Sequence, residues 1–170
     1  MDDALSVRVA ARADLPGLHP VIERAYRGDS ARQGWTHEAD LLSGERIDDA
    51  TLEAMFDDPG HILLIAEQGG AALGCVSLTA RGDGLVYLGL LCVDPASQAG
   101  GIGKAIIAAA EKAARDQLDA DRIEMTVIDK RVELIAYYER RGFVRTGERR
   151  PFPVELDPPL NMVVLEKALA

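Results

Sequence analysis

The 170-residue chain lacks a membrane-spanning apolar run, a signal region and a set of residues at metal-ligand spacing. No apolar run approaches the roughly 20 residues that span a bilayer, and the opening MDDALSVRVAARADLP has neither a basic nor an apolar signal region. Its two cysteines, Cys75 and Cys92, lie in apolar segments, with no matching His or Cys residues at metal-ligand spacing. These absences predict a cytoplasmic protein with no membrane segment, no disulfide and no structural zinc site.

An excess of basic residues is also missing. The 19 Lys and Arg residues are outnumbered by 28 Asp and Glu residues, which gives a net charge of −9. A surface of this sign repels a phosphate backbone, so nucleic acid is not an expected partner. The length suits one domain, and neither a repeat nor an interdomain linker is evident. We therefore expect residues 1–170 to form a single domain.

Hydrophobic periodicity predicts seven strands and four helices in an α+β arrangement. The predicted strands are at 6–11, 61–68, 71–80, 85–93, 122–129, 143–148 and 162–169. The predicted helices are at 14–26, 48–58, 101–118 and 132–142. Short turns at 69–70 and 81–84 indicate antiparallel hairpins, and the proline-rich segment 149–160 is predicted to be a loop.

The segment QAGGIGK (98–104) places three glycines between a predicted strand and a predicted helix. Glycines let a backbone approach phosphate oxygens, and the unpaired N–H groups at a helix N-terminus attract anions. A Walker-type loop would need Ser or Thr after Lys104, where Ala105 stands, and a dinucleotide fingerprint would need a third glycine. The segment therefore indicates another kind of phosphate site, and a flexible turn without a ligand stays an alternative.

Two motifs resemble the Gcn5-related N-acetyltransferase (GNAT) family. Gln98-x-x-Gly101-x-Gly103 is similar to the family's Arg/Gln-x-x-Gly-x-Gly/Ala signature, and ELIAYYERRGF (133–143) resembles a family helix that ends LYEKLGF. The resemblance implies a mixed central sheet of about seven strands with about four helices, in which the fourth and fifth strands splay apart. It also implies acetyl-CoA as cosubstrate, an amine as acceptor, and chemistry that requires no metal.

The resemblance implies roles for individual residues. Tyr138 would protonate the departing thiolate, whereas core packing is the alternative for Tyr138 and the expectation for Tyr137. Arg131 stands where the family often has Asn, so its role toward the coenzyme stays open. The residues expected to bind the coenzyme are Leu91, Cys92, Val93, Gln98, Ala99, Gly100, Gly101, Ile102, Gly103, Lys104 and Arg131.

The acceptor pocket is expected between the first helices, their connecting segment and the loop before the last strand. There Trp35, Glu38 and Asp40 would bind a cation by stacking and ion pairing; alternatively, Trp35 covers the core and the acids begin a short helix. The prolines of 149–160 favour a small-molecule amine. A protein N-terminus or lysine, a non-catalytic acyl-CoA-binding module and a nucleotide-binding protein stay alternatives, and the oligomeric state, a homodimer included, stays open.

Overall fold

A computed structural model describes residues 4–26, 49–94, 101–151 and 161–169. The strands in these ranges are β1 (Ser6–Val9), β2 (His61–Gln68), β3 (Ala71–Gly82), β4 (Leu85–Val93), β5 (Arg122–Ile128), β6 (Val144–Pro151) and β7 (Asn161–Ala168). The α-helices are α1 (Leu15–Tyr26), α2 (Asp49–Asp57), α3 (Ile102–Leu118) and α4 (Val132–Arg140). A short 3-10 helix (Arg12–Asp14) precedes α1.

The seven strands form one mixed sheet in the order β1-β2-β3-β4-β5-β7-β6. Neighbours from β1 to β4 are antiparallel. The short turns predicted this for the β2–β3 and β3–β4 hairpins. β4 and β5 are parallel, and α3 makes the crossover between them. β7 enters between β5 and β6 and is antiparallel to both, so the last strand of the chain is not at the edge.

The predicted α+β element order is confirmed, and the largest shift in a boundary falls on β6. This strand continues through Pro151, so the predicted loop at 149–160 is wrong for its first three residues. Arg149 and Arg150 pair in register with Val163 and Met162 of β7, which holds them in extended conformation. Pro151 is accommodated because β6 is an edge strand, where a missing N–H need not join a ladder.

Alternating side chains divide the core between the two sides of the sheet. On the side that α3 and α4 cover, the core includes Val86, Leu88 and Ile123. On the side that α1 and α2 cover, it includes Leu63 and Ile65. We call these the α3 side and the α1 side. Among the described helices, none combines the length and the apolar character that crossing a membrane requires.

Candidate active site

β4 and β5 are joined only at their N-terminal ends. Their register pairs Leu85–Tyr87 with Arg122–Glu124, and no later β4–β5 pair is present among the described residues. Beyond this point β4 continues beside β3, and β5 continues beside β7. The segments 88–93 and 125–128 therefore part, and the gap between them opens toward the C-terminal ends of both strands. We call this gap the wedge; it is the splayed strand pair that the resemblance implied.

A β-bulge bends β4 beside the wedge. One β3 residue, Val76, stands opposite two β4 residues, Leu90 and Leu91. Leu90 has a φ of 51°, a left-handed conformation that destabilises a residue with a side chain by about 1–2 kcal/mol. The extra residue resets the alternation, so that Leu91 and Val93 lie on the α3 side and Cys92 on the α1 side. The bulge thus sets which side chains of β4 border the wedge.

The two cysteines lie directly opposite each other on β3 and β4. Their Sγ atoms are 3.6 Å apart, both residues are buried, and both are free thiols. The Cys75 thiol also donates a hydrogen bond to the Leu90 carbonyl at the bulge, at 3.4 Å. Gly74 precedes this pair because a Cβ there would collide with the Cys92 carbonyl oxygen. Close packing of β3 therefore supports the bulged part of β4.

The N-terminus of α3 lies just beyond the end of β4. Gly101 takes the N-cap position with φ 74° and ψ 15°, a conformation that glycine adopts without strain. Among the residues that the structure describes, no side chain caps this helix end, and its first turn has no acidic residue. The first intrahelical bond recorded here is from Ala105 N–H to the Gly101 carbonyl, at 3.2 Å. The N–H groups of residues 102–104 thus precede the helical ladder, and this end of the helix favours an anion.

Tyr138 projects from α4 into the core beside the wedge. It is buried, and its ring makes edge contacts with Tyr137 and Phe143 at centroid distances of 5.5 and 6.2 Å. Burial is the main cause that raises the pKa of the Tyr138 hydroxyl, the neighbouring Tyr137 raises it further, and the charge of Arg131 opposes them. Tyr138 is therefore a neutral hydroxyl at physiological pH, able to donate a proton.

Arg131 lies at the start of α4, in the turn that follows β5. It is partly buried, takes the N-cap position of α4, and its N–H donates a hydrogen bond to the Ile128 carbonyl at 3.0 Å. Its positive charge acts to lower the pKa of the Tyr138 hydroxyl, against the larger effect of burial. Among the described residues, no group of three or more His, Cys, Asp or Glu side chains is placed to hold a metal ion.

Comparison with known proteins agrees with this geometry. The Acetyltransferase (GNAT) family model matches residues 23–143, which is most of the chain. The chain belongs to the GNAT family. A mycothiol acetyltransferase from Salinispora tropica is 44% identical over 123 residues, which are 69% of this chain and 37% of that protein. This GNAT chain thus spans little more than a third of the length of that relative.

Solved structures share the fold of this GNAT chain. The ribosomal-protein-S18-alanine N-acetyltransferase of Escherichia coli superimposes with a TM-score of 0.76 at 14% identity, over 98% of this chain and 95% of that one. The yncA protein of Salmonella typhimurium, solved with its cofactor acetyl-CoA, gives a TM-score of 0.74 at 19% identity, over 98% and 95% of the two chains. At these identities the similarity establishes the fold and nothing further.

The predicted site residues of this GNAT chain fall into two groups. Gln98, Ala99 and Gly100 of the glycine-rich segment lie outside the described residues, as do the acceptor residues Trp35, Glu38 and Asp40. The structure gathers the other group around the end of β4 and the first turn of α3, with Ile102 buried and Lys104 exposed. That group consists of Leu91, Cys92, Val93, Gly101, Ile102, Gly103, Lys104, Arg131 and Tyr138.

Tyr137 also lies at the open end of the wedge, where sequence analysis predicted only a packing role for it. Its hydroxyl lies 3.0 Å from the position that a Cβ on Gly103 would take, and Val93 Cγ2 lies 3.8 Å from the same position. The Arg141 guanidinium stacks over the Tyr137 ring, 5.0 Å from its centroid. Gly103 therefore lets α3, α4 and β4 meet closely at the open end of the wedge.

Sequence reasoning missed a polar cluster on the α1 side of the sheet. Tyr87 and Thr126 share a hydrogen bond of 2.8 Å between their hydroxyls. The buried Glu124 carboxylate accepts two bonds from Arg150, at 3.1 and 3.2 Å, and Arg150 Nε donates to Glu148 at 2.7 Å. The available signal was the acidic residue inside the apolar strand RIEMTVI, a pattern that predicts a buried charge and requires a partner.

Proposed function

We propose that this GNAT chain is an N-acetyltransferase that moves the acetyl group of acetyl-CoA to a primary amine of a small molecule. The transfer is direct, within a complex that holds both substrates. One observation carries the proposal: the wedge between β4 and β5 has the N-terminus of α3, with Gly101 as its N-cap, at its open end and the protonated Tyr138 beside it. An anion-binding helix end, an extended channel and a proton donor are what a diphosphate-bearing thioester requires.

The coenzyme is assigned to the open end of the wedge. The N–H groups of residues 102–104, with Gly101 and the segment 98–100, would bind the diphosphate by hydrogen bonds and by the helix dipole. The pantetheine arm would lie along Leu91–Val93 in the manner of an added strand. Arg131 would meet it on the β5 side, either at the pantetheine or at a phosphate. Acetyl-CoA is a substrate here, and the transfer draws on no metal.

The chemistry follows from this placement. The neutral amine nitrogen attacks the thioester carbonyl carbon, a C–N bond forms, and the C–S bond breaks. The nitrogen becomes cationic on attack and loses a proton to water, which leaves a neutral amide. A main-chain N–H on the bulged part of β4 would stabilise the negative charge that develops on the carbonyl oxygen. Tyr138 donates its proton to the departing coenzyme thiolate, and solvent returns a proton to Tyr138. The amine starts as an ammonium ion of pKa about 10, so a base or a water must take its proton first.

One relative and three predicted residues bear on the acceptor. Because that relative is named a mycothiol acetyltransferase, an amine precursor of mycothiol belongs in any acceptor panel. Trp35, Glu38 and Asp40 stay the predicted contacts for the cationic part of an acceptor. A protein amine and a non-catalytic acyl-CoA-binding role stay the alternatives, and turnover with free amines separates them from the proposal.

Coenzyme binding is the first test. Acetyl-CoA at 100 times its dissociation constant should stabilise the protein by about 2.7 kcal/mol in thermal unfolding, and ATP and NAD at equal concentration should not. Gly101→Asp should abolish this stabilisation because it places a negative charge at the diphosphate. Gly101→Asn is the matched control, since Asn has the same shape, tolerates the left-handed conformation and is neutral. Equal responses of the two variants would refute the assignment.

Turnover is the second test. Release of the free coenzyme thiol is followed with a panel of diamines, amino acids, amino sugars, the mycothiol precursor and peptides with free N-termini, and acetylated products are identified by mass spectrometry. We expect amine-dependent thiol release with a small molecule. Binding of acetyl-CoA without release for any amine would instead support the non-catalytic alternative.

A further inference from the structure

Glu124 is the only charged side chain that is buried among the described residues. Its two carboxylate oxygens each accept one hydrogen bond from Arg150, and Arg150 also binds the more exposed Glu148. Burying a carboxylate in this way is expensive, and an apolar pair of similar size serves stability at least as well. Stability alone therefore does not explain why a charged pair lies here, whereas a role in binding would.

The position of this cluster relative to the wedge is defined by the strand register. Glu124 pairs with Tyr87 at the last level where β4 and β5 are joined. Ile123 and Met125, its neighbours along β5, point into the core of the α3 side, so Glu124 and Thr126 lie on the α1 side. The hydrogen bond between Tyr87 and Thr126 spans the two strands there. The closed end of the wedge is thus lined on the α1 side by two hydroxyls and a carboxylate.

This side is where an acceptor must arrive if the proposed function holds. The coenzyme is assigned to the open end of the wedge beside α3, and it would fill the wedge from there. A nucleophile can reach the thioester carbonyl only from a direction that the coenzyme leaves open. The closed end on the α1 side offers that direction, and the cluster at 87, 124, 126 and 150 is the polar surface that the described residues present there.

The charge of the cluster indicates what it binds. Two carboxylates, Glu124 and Glu148, share one guanidinium from Arg150. Glu166 lies opposite Glu124 in the β5–β7 register, and the Arg81 guanidinium lies over the Tyr87 ring, 4.9 Å from its centroid. Three carboxylates and two guanidiniums leave one net negative charge. A carboxylate oxygen has two acceptor positions, so each oxygen of Glu124 retains one beyond its bond to Arg150. Arg150 Nε, Nη1 and Nη2 each donate to a carboxylate, and one N–H group on each Nη remains. The net negative charge of the cluster therefore favours a cation over an anion.

We propose that Glu124, held by Arg150 and assisted by Glu148, is a specificity-determining residue that binds a second cationic group of the acceptor. The acceptor class is then a diamine or a larger amine with a positive charge a few bonds from the reacting nitrogen. Tyr87 and Thr126 line the path between that charge and the thioester. This inference rests on the proposed function, and it adds to that function the charge of the substrate.

The test uses three amines of equal chain length: 1,4-diaminobutane, butylamine and 4-aminobutanoate. Their far ends are cationic, neutral and anionic. With the full chain and acetyl-CoA, kcat/KM should fall in that order. Glu124→Gln should lower the ratio of kcat/KM for diaminobutane to that for aminobutanoate by roughly tenfold or more, the worth of a charged hydrogen bond. The change should appear mainly in the acceptor KM, with the acetyl-CoA dissociation constant unchanged.

Two further variants keep the result interpretable. Glu148→Gln alters the same cluster at an exposed position, so it should fold even where Glu124→Gln does not, and it should lower the ratio in the same direction by a smaller factor. Glu67→Gln is the matched control, because Glu67 also accepts two bonds from one arginine, Arg8, at the far edge of the sheet. It should leave the ratio unchanged.

The outcomes separate this inference from the proposed function. A wild-type protein that acetylates amines but prefers aminobutanoate, or ignores all three probes, contradicts the selectivity. An unchanged ratio in folded Glu124→Gln or Glu148→Gln, or an equal loss in Glu67→Gln, contradicts the role of the cluster. A wild-type protein that releases no thiol with any amine refutes the proposed function, and this inference falls with it.

Discussion

The Tyr137 hydroxyl and Gly103 approach each other so closely that a Cβ on the glycine would lie 3.0 Å from the hydroxyl oxygen. Tyr137 belongs to α4 and Gly103 to the first turn of α3, so this contact fixes the distance between the two helices at the open end of the wedge. Gly103 is therefore required for helix packing as well as for any approach of a phosphate. The two roles can be separated by mutation.

A double-mutant cycle on Gly103 and Tyr137 tests the packing role. Replacing glycine by alanine in a helix gains up to about 1 kcal/mol of propensity, but here the new methyl must displace the hydroxyl. Gly103→Ala should therefore change the free energy of unfolding little in the wild type. In the Tyr137→Phe background, which lacks the hydroxyl, the same change should be about 0.5–1 kcal/mol more favourable. Urea unfolding of the four proteins measures the coupling.

Additive effects, to within about 0.3–0.5 kcal/mol, would show that the hydroxyl yields without strain. Acetyl-CoA affinity measured on the same four proteins then reports the second role. A loss of affinity in Gly103→Ala that Tyr137→Phe does not restore would arise from the methyl group at the coenzyme itself.

Tyr138→Phe tests proton donation to the leaving group. A positioned general acid typically contributes 10²–10⁴-fold, so we expect kcat to fall by about 100-fold or more. Affinity for acetyl-CoA should stay within a few fold, since the ring and its contacts with Tyr137 and Phe143 are kept. The control is Tyr137→Phe, which removes the adjacent hydroxyl. Equal loss of kcat in both variants would contradict a specific role for Tyr138.

The pH dependence of the same reaction has a definite sign. Burial raises the pKa of Tyr138, so its hydroxyl keeps the transferable proton throughout the neutral and mildly alkaline range. The kcat of the wild type should therefore show no loss from Tyr138 between pH 7 and about 10, the ordinary tyrosine pKa. A decline of kcat in that interval that disappears in Tyr138→Phe would show that the hydroxyl ionises there and that its surroundings are more polar.

Much of the fold could be predicted because its signals are local. The strands at 61–68 and 85–93 were placed to the residue by apolar runs between glycine turns, and the start of α3 was placed within one residue by its glycines. The extension of β6 to Pro151 was missed because it depends on pairing with β7, which no local signal reports. The proline content of 149–160 predicted a loop, but the strand can continue through Pro151 because β6 lies at the edge of the sheet.

The same distinction between local signals and long-range pairing applies to the site. Tyr138 and the glycines of α3 were found by motif. The bulge at Leu90 was not, because a leucine in the sequence does not indicate a φ of 51°. Gly89, inside an apolar strand, was the local hint of irregularity. The bonds from Tyr87 to Thr126 and from Arg150 to Glu124 join residues 39 and 26 positions apart. Such contacts follow from sheet order and register, which composition and periodicity leave open.

The ion pair between Arg24 of α1 and Asp94 gives a prediction about the coenzyme. The two side chains are 2.8 Å apart, and Asp94 directly follows β4, where the segment toward the glycines begins. Arg24→Gln should raise the KM for acetyl-CoA a few fold, while the free energy of unfolding changes by less than about 1 kcal/mol, as for other partly exposed pairs. The difference in KM should shrink at high salt, because screening weakens the pair in the wild type.

Arg12→Gln is the control for that experiment. Arg12 forms an exposed ion pair with Asp57 of α2, so its loss removes the same charge and a similar contact on the same side of the sheet. It should leave the KM for acetyl-CoA unchanged. A rise in KM of similar size in both variants would indicate a general electrostatic effect of the protein's charge.

His61, at the start of β2, should make stability depend on pH below neutrality. Neither ring nitrogen has a hydrogen-bond partner among the described residues. Burial is the main cause that lowers the pKa of His61; Asp58 and the nearby main chain of Met55 oppose it. The unfolded chain therefore binds a proton more readily than the folded one. The stability contribution is complete above the unfolded pKa of about 6.5 and is lost as the pH falls toward the lower folded pKa.

Urea unfolding at pH 7.5, 6.0 and 5.0 measures this loss. One proton limits the slope to about 1.4 kcal/mol per pH unit, so the wild type should lose stability over the interval with no more than this slope. In His61→Leu, the free energy of unfolding should depend less on pH over the same interval. Carboxyl groups with lowered pKa values do not interfere: Asp14, held near 2 by Arg8, and Glu67, lowered by the same arginine, lose their contributions only as the pH falls through their ordinary values near 4. An equal slope in wild type and His61→Leu would mean that the half-buried imidazole is not the group that titrates.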